Sequence, residues 1–215
     1  MTITEIRLYD YYRSSACYRV RIALNLKRVD YDAVDTSLVD NAHKRDEYRA
    51  MNPQGFVPML EIDDERLTQS LAIIDYLDAR FPDPPFLPVD PAARAKALAM
   101  ALVVACDIHP LNNLRVLRYL GKELGVAEAA RDDWYRHWVR EGLEALEILA
   151  IGDTPFLGGD TPGLADICLV PQMFNARRFA TPLDACPRLV EIDARLTAIP
   201  AIAAAHPDAV KPADG

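Results

Sequence analysis

Arg13-Ser14-Ser15-Ala16-Cys17 brings a guanidinium, two hydroxyls and a thiol together where the pattern of the chain changes from strand to helix. Upstream, Ile6 and Leu8 alternate with Glu5 and Arg7 in a run that ends near Tyr12; downstream, Cys17, Val20 and Leu24 recur at helical spacing. Ser14 and Ser15 therefore fall at a helix N-terminus. Unpaired backbone N–H groups and the positive end of the helix dipole favour an anion there, and a serine hydroxyl adds one more donor. The same serines also suit a plain N-cap that does nothing but start the helix. Cys17 shares the apolar face of Val20 and Leu24, which fits a packed thiol.

The elements that must position these groups follow from periodicity. A first strand and helix are followed by a short strand at Tyr31 to Asp35, a polar helical segment around His43 to Ala50, and strands at Val57 to Ile62 and Arg66 to Thr68. Asp63-Asp64-Glu65 forms the turn between the last two, and Leu71, Ile74, Leu77 and Phe81 mark one face of a helix starting at Ser70. The order βαβαββα describes a small α/β domain over 1–82. Four prolines between Phe81 and Pro88 predict a linker at 83–90. Beyond it, strand signals nearly vanish. Segments at 91–121, 127–150, 164–178 and 187–198 predict an all-α domain over 91–215. Pro110 should bend or break the first of these near Asp107-Ile108-His109, and Asp166 suits the third position of a helix whose N-cap is Gly163.

Composition narrows the class. With 32 acidic against 24 basic residues the net charge is −8, which disfavours nucleic acid and anionic membranes as partners. No run of about 18 apolar residues occurs, and the first residues lack the organisation of a signal peptide, so the expectation is a cytoplasmic protein with no membrane partner. Cys17, Cys106, Cys168 and Cys186 are at least 18 residues apart and match no metal or dithiol spacing, so no metal is expected.

Specific motifs add a resemblance. Ser-Ser-x-x-x-Arg-Val-Arg-Ile-Ala-Leu from Ser14 to Leu24 resembles the signature of the zeta class of cytosolic glutathione transferases. Asn52-Pro53-Gln54-Gly55-Phe56-Val57-Pro58 and Gln69-Ser70-Leu71-Ala72-Ile73-Ile74 are similar to the glutathione-site elements of the superfamily. Cys106-Asp107-Ile108-His109-Pro110-Leu111-Asn112-Asn113 and Leu169-Val170-Pro171-Gln172 resemble bacterial zeta-like enzymes. The resemblance spans nearly the whole chain and implies a thioredoxin-like N-terminal domain, an all-helical C-terminal domain, a homodimer and reduced glutathione as cofactor. The family often has Cys as the third residue of Ser-Ser-Cys; here Ala16 stands there and Cys17 follows. One helical step rotates a side chain by about 100°, so Cys17 does not replace that thiol.

By this resemblance Ser14 donates to the glutathione sulfur and stabilises the thiolate, with Ser15 as the second donor. Val57-Pro58 matches a cis-proline turn that receives the cysteinyl part as an added strand would. Gln69 and Ser70 hold the γ-glutamyl carboxylate, His43 and Gln54 lie near the glycyl end, and Asp107, His109 and Asn113 face the same cleft. Arg13, Arg115 and Arg178 suit a dicarboxylate, since guanidinium pairs carboxylates bidentately. The implied reaction is glutathione-dependent cis-trans isomerisation of a maleyl acid: thiolate addition, bond rotation and elimination. Maleylacetoacetate is the first expectation and maleylpyruvate the alternative. A conjugating or dehalogenating transferase and a non-catalytic binding protein of the same fold are the further rivals.

Overall fold

A computed structural model describes residues 5–150 and 152–212. The first unit is built on a four-stranded sheet of β1 (Arg7–Asp10), β2 (Asp32–Asp35), β3 (Met59–Ile62) and β4 (Glu65–Thr68), in the order β2-β1-β3-β4. β1 runs parallel to β2, with Leu8 opposite Ala33, and antiparallel to β3, with Leu8 opposite Leu60. β3 and β4 form a hairpin whose turn residues Asp63 and Asp64 take φ of 50° and 65°, the left-handed region that Asp tolerates better than most residues. The parallel pair needs a crossover, supplied by α1 (Ser15–Lys27). α3 (Ser70–Arg80) packs beside α1, and Leu8, Val20, Leu24, Leu60, Ile73 and Leu77 form the fully buried core. Ala42–Lys44 is a 3₁₀ turn leading into α2 (Asp46–Met51).

α1 is buried on nearly every side although its sequence carries Arg19, Arg21 and Lys27. Buried charges need partners, and these have them. Lys27 Nζ donates to Asp78 Oδ1 at 2.7 Å and to the Pro84 carbonyl at 2.6 Å. Arg21 pairs with Asp10, and its Nε donates to the Ala205 carbonyl at 3.1 Å, while Asn25 donates to the Ala201 carbonyl at 2.9 Å. These last bonds join the C-terminal segment to α1. The segment from Ile199, with the short helices α10 (Pro200–Ala203) and α11 (Pro207–Val210), belongs to the same compact unit as residues up to Pro85; the other unit is Phe86–Ala198. Polar side chains on α1 require carbonyl partners, and the C-terminal segment supplies them.

The second unit contains α4 (Pro91–Leu102), α5 (His109–Asn112), α6 (Leu114–Lys122), α7 (Glu128–Leu149), α8 (Leu164–Arg178) and α9 (Pro187–Thr197). α8 is its centre, buried almost throughout, with α4, α7 and α9 packed on it. Asp90 caps α4 by accepting the Ala93 N–H at 2.8 Å, with Pro91 at the first helical position. The helical stretch Pro91–Lys122 is long and apolar enough to cross a membrane by length and composition alone, a test that core helices of globular proteins also pass. Between α4 and α5 the backbone widens into a π-helical turn at Val103–Ile108, and the His109 N–H reaches back to the Val104 carbonyl. Pro110 explains it: its ring crowds the carbonyl four residues earlier, and the wider turn relieves the clash. A Cβ on Gly142 would collide with Ile108, so α7 approaches this turn at a distance only glycine allows. Asp166 occupies the third position of α8 and is fully buried. It accepts the N–H groups of Leu157, Gly158 and Gly163 at 2.8, 2.8 and 2.9 Å, fastening the loop before the helix.

Candidate functional site

Ser14 is the N-cap of α1: its backbone is extended, with φ −71° and ψ 121°, and its Oγ accepts the Cys17 N–H at 3.3 Å. That bond uses an oxygen lone pair; the hydroxyl also lies against the Cys17 sulfur, and its hydrogen serves that sulfur or an external acceptor in its place. The first turn of α1 holds no acidic residue, so its positive end is not neutralised from within. Ser15, the first helical residue, is buried. The turn in front of Ser14 is fixed from two sides, because the Ser14 N–H donates to the Tyr11 carbonyl at 2.8 Å and Arg21 donates to the Tyr12 carbonyl at 2.9 Å. Arg13 is exposed, with its guanidinium carbon 5.1 Å from the centre of the Tyr12 ring.

Cys17 is completely buried among Tyr11, Tyr48, Val57 and Met59, and burial pushes its thiol well above the ordinary range. Such a thiol is a packing group. Val57 belongs to the same cluster, and its bond to Pro58 is cis. The loop before it is pinned at one atom: the Phe56 carbonyl accepts both the Tyr48 hydroxyl at 2.6 Å and the Asn52 amide at 2.8 Å. Gln54, in that loop, accepts from the Gln69 amide at 2.8 Å, so these two side chains are brought together across 15 positions of sequence. Gln69 takes φ 68° and ψ 115°, an unusual conformation for a residue with a side chain, and leads into Ser70 at the start of α3. Arg19 reaches Ser70 from below, its Nη1 donating to Ser70 Oγ at 3.4 Å.

His43 is buried, with Nδ1 3.5 Å from the Ser37 carbonyl. The cation that faces the Gln54 loop is its neighbour Lys44, whose Nζ donates to the Gly55 carbonyl at 2.8 Å and lies 4.7 Å from the centre of the Phe56 ring. Local pattern gave Lys44 no role and Arg19 only a place in the Ser14–Leu24 motif.

In the second unit, Asp107 is exposed on the π-helical turn and His109 begins α5, half-buried. Asn113 caps α6, accepting the Arg115 N–H at 3.1 Å, and Arg115 itself is exposed. The neighbouring Asn112 is buried, and neither of its amide atoms has a protein partner among the described residues. Arg178, at the end of α8, is exposed with its guanidinium carbon 5.1 Å from the centre of the Phe179 ring. Phe179 stacks on Tyr135 at 3.7 Å, so Arg178 rests on a two-ring platform. Burial raises the Tyr135 hydroxyl well above its ordinary value and keeps it neutral.

Elsewhere, a polar depression of about 620 Å³ beside β3 and β4 is lined by Glu5, Arg7, Glu61 and Arg66. Arg7 pairs with Glu5 at 2.7 Å and Arg66 with Glu61 at 2.8 Å, while Asp64 and Glu65 also line it, so it is a solvated, net acidic surface. Among the described residues no group of three His, Cys, Asp or Glu side chains could hold a metal ion.

Comparison with known proteins bears on this arrangement. Residues 8–85 match the family model of the glutathione S-transferase N-terminal domain. The chain is 50% identical over 212 residues to a maleylacetoacetate isomerase of Rhizobium meliloti (strain 1021), covering 97% of this chain and 99% of the relative. Among solved structures, a holo maleyl pyruvate isomerase described as a bacterial zeta-class glutathione S-transferase superposes with a TM-score of 0.91 at 41% identity, covering 94% of this chain and 97% of that one. A maleylacetoacetate isomerase of Anaeromyxobacter dehalogenans 2CP-1, solved with dicarboxyethyl glutathione and citrate in the active site, superposes with a TM-score of 0.84 at 37% identity, covering 96% of each chain.

Proposed function

The chain belongs to the glutathione S-transferase family, and from that premise we propose that it isomerises maleylacetoacetate to fumarylacetoacetate with reduced glutathione as cofactor. The observation that carries this reading is Ser14: a hydroxyl that caps α1, at a helix end with no acid in its first turn. Such a site binds a thiolate without accepting its proton, so Ser14 acts as an electrostatic stabiliser and not as a base. When bound, glutathione supplies a sulfur nucleophile that adds to the cis double bond, allows rotation and leaves again, so none is consumed.

The residues present fit that cofactor. Ser70 and the first N–H groups of α3 suit the γ-glutamyl carboxylate, and Gln69 and Gln54 sit beside them, bonded to each other. Val57 and the cis Pro58 offer backbone to the cysteinyl part, and Lys44, at the Gln54–Gly55 turn, suits the glycyl carboxylate. His43, being buried, supports that turn from within. Asp107, His109 and Asn113 are the further polar groups this reading assigns to glutathione. Arg13, Arg115 and Arg178 read the acid groups of the substrate; that a relative holds a dicarboxyethyl adduct supports a pocket built for two carboxylates. The same reading takes the protein to be a cytoplasmic homodimer, testable by sedimentation and by fractionation.

A second reading, maleylpyruvate as substrate, is supported by the 41% identity to a maleyl pyruvate isomerase; the TM-score of 0.91 does not separate the two, since a maleylacetoacetate isomerase superposes equally well. The decisive experiment is to offer each acid with catalytic glutathione and follow product and free thiol. Trans acid with undiminished thiol is the expected result, faster for maleylacetoacetate; stoichiometric loss of thiol would replace the isomerase by a conjugating transferase.

A further inference from the structure

Arg19 is 2% exposed, and its contact with Ser70 joins residues 51 positions apart. Guanidinium has donors only, whereas a serine hydroxyl has one hydrogen and two accepting lone pairs. The bond therefore has one direction: Arg19 donates, Ser70 accepts, and the Ser70 O–H is left pointing to a different acceptor. Ser70 is also the first residue of α3. The N-cap side chain there, Gln69, makes no capping bond, and the first turn holds no acid. The start of α3 thus combines an uncapped positive end, a hydroxyl held as a donor, and a buried cation directly behind it.

We infer that Arg19 is a positioning residue for the γ-glutamyl carboxylate of glutathione, acting through Ser70. It holds the hydroxyl in its donating orientation and places a permanent positive charge one layer beneath the anion. Arginine is suited to this because its planar guanidinium carries donors only and holds them in a fixed fork. The inference rests on the proposed glutathione site and deepens it.

The test compares reduced glutathione with 4-aminobutyryl-cysteinyl-glycine, the same molecule without the γ-glutamyl carboxylate, by calorimetric titration of the full chain. Wild type should prefer glutathione by roughly tenfold or more, the range of a charge-assisted hydrogen bond. Arg19→Met and Ser70→Ala should each collapse that preference to about threefold or less, and the double variant should lose little more, since both act on one interaction. Should Arg19→Met not fold, Arg19→Gln, which keeps a donor without the charge, is read on the same ratio. A purely structural Arg19 would weaken both ligands equally, and an unchanged ratio overturns the inference. If wild type binds neither ligand, the glutathione reading itself has failed; if it keeps its preference while the Arg19 variants keep theirs, only the role of Arg19 has.

Discussion

The Arg21 guanidinium meets the Asp10 carboxylate at 2.7 and 3.0 Å with both side chains under a tenth exposed. Its remaining nitrogens donate to the Tyr12 and Ala205 carbonyls. One side chain thereby ties together the end of β1, the turn that presents Ser14, and the C-terminal segment. The helix end that presents Ser14 is held by a buried ion pair as well as by the turn's own Ser14–Tyr11 bond.

Arg21→Met should cost about 3–5 kcal/mol of stability, because it leaves Asp10 buried and uncompensated and two carbonyls without a donor. Urea unfolding followed by circular dichroism measures this. A loss below about 1 kcal/mol would mean that Asp10 reaches solvent or another donor and that the pair does not organise the turn.

Ser14→Ala should cut turnover on the order of 10- to 1000-fold by removing the donor to the thiolate. It also deletes the cap on α1, at a cost of about 1 kcal/mol. Thiolate absorbance of the glutathione complex, titrated against pH, separates the two effects: the pKa of the bound thiol should rise in Ser14→Ala. An unmoved thiol pKa would assign the stabilising bond to Ser15.

The thiols give a labelling and a pH prediction. Cys106 is exposed while Cys17, Cys168 and Cys186 are buried, so a maleimide should label one thiol fast and the others only on unfolding. Burial raises Cys17 well above its ordinary value and, with Glu147 and Glu144 nearby, raises Cys186 to about 11. Above about pH 9 the unfolded chain releases these protons while the folded chain keeps them, so stability is full below that pH and falls as pH rises toward 11 and beyond. Cys17→Ala should flatten the fall and leave turnover largely intact; loss of turnover in a folded variant would return a catalytic role to that thiol.

Gly142→Ala should destabilise the second unit by about 1–3 kcal/mol, since the added methyl meets the Ile108 side chain of the π-helical turn. Ile108→Val should recover part of the loss in the double variant. Thermal melts of the four proteins give the coupling directly, and additive effects would show that the two residues do not share the space.

Arg178→Met should lower kcat/KM for the maleyl acid tenfold or more, with a smaller effect for Arg115→Met, because a charge-assisted contact is worth roughly 1.5–3 kcal/mol. Glutathione affinity should hardly change. Phe179→Leu removes the ring beneath Arg178 and should raise KM with kcat nearly preserved. Turnover indifferent to Arg13, Arg115 and Arg178 alike would remove the dicarboxylate pocket.

Near-neighbour physics made much of this molecule legible from its amino acids alone. The order βαβαββα, the helix starting at Ser70, the segments 164–178 and 187–198, and the Gly163/Asp166 helix start agree with the structure within a residue or two, because periodicity and capping involve groups three or four positions apart. The place of the serine pair at the start of α1 was equally readable, since it needs only a strand-to-helix junction and a capping hydroxyl. Tertiary structure decided the rest. It buried Arg19 and Arg21, which local pattern would leave in water, by bringing Ser70, Asp10 and Ala205 to them from 51, 11 and 184 positions away. It turned His43 inward and left Lys44 at the Gln54 loop, detached residues from Ile199 onward from the helical unit, and set Gly142 against Ile108. Whether a charge is solvated or buried depends on partners distant in sequence, and no local pattern of residues encodes where those partners will be.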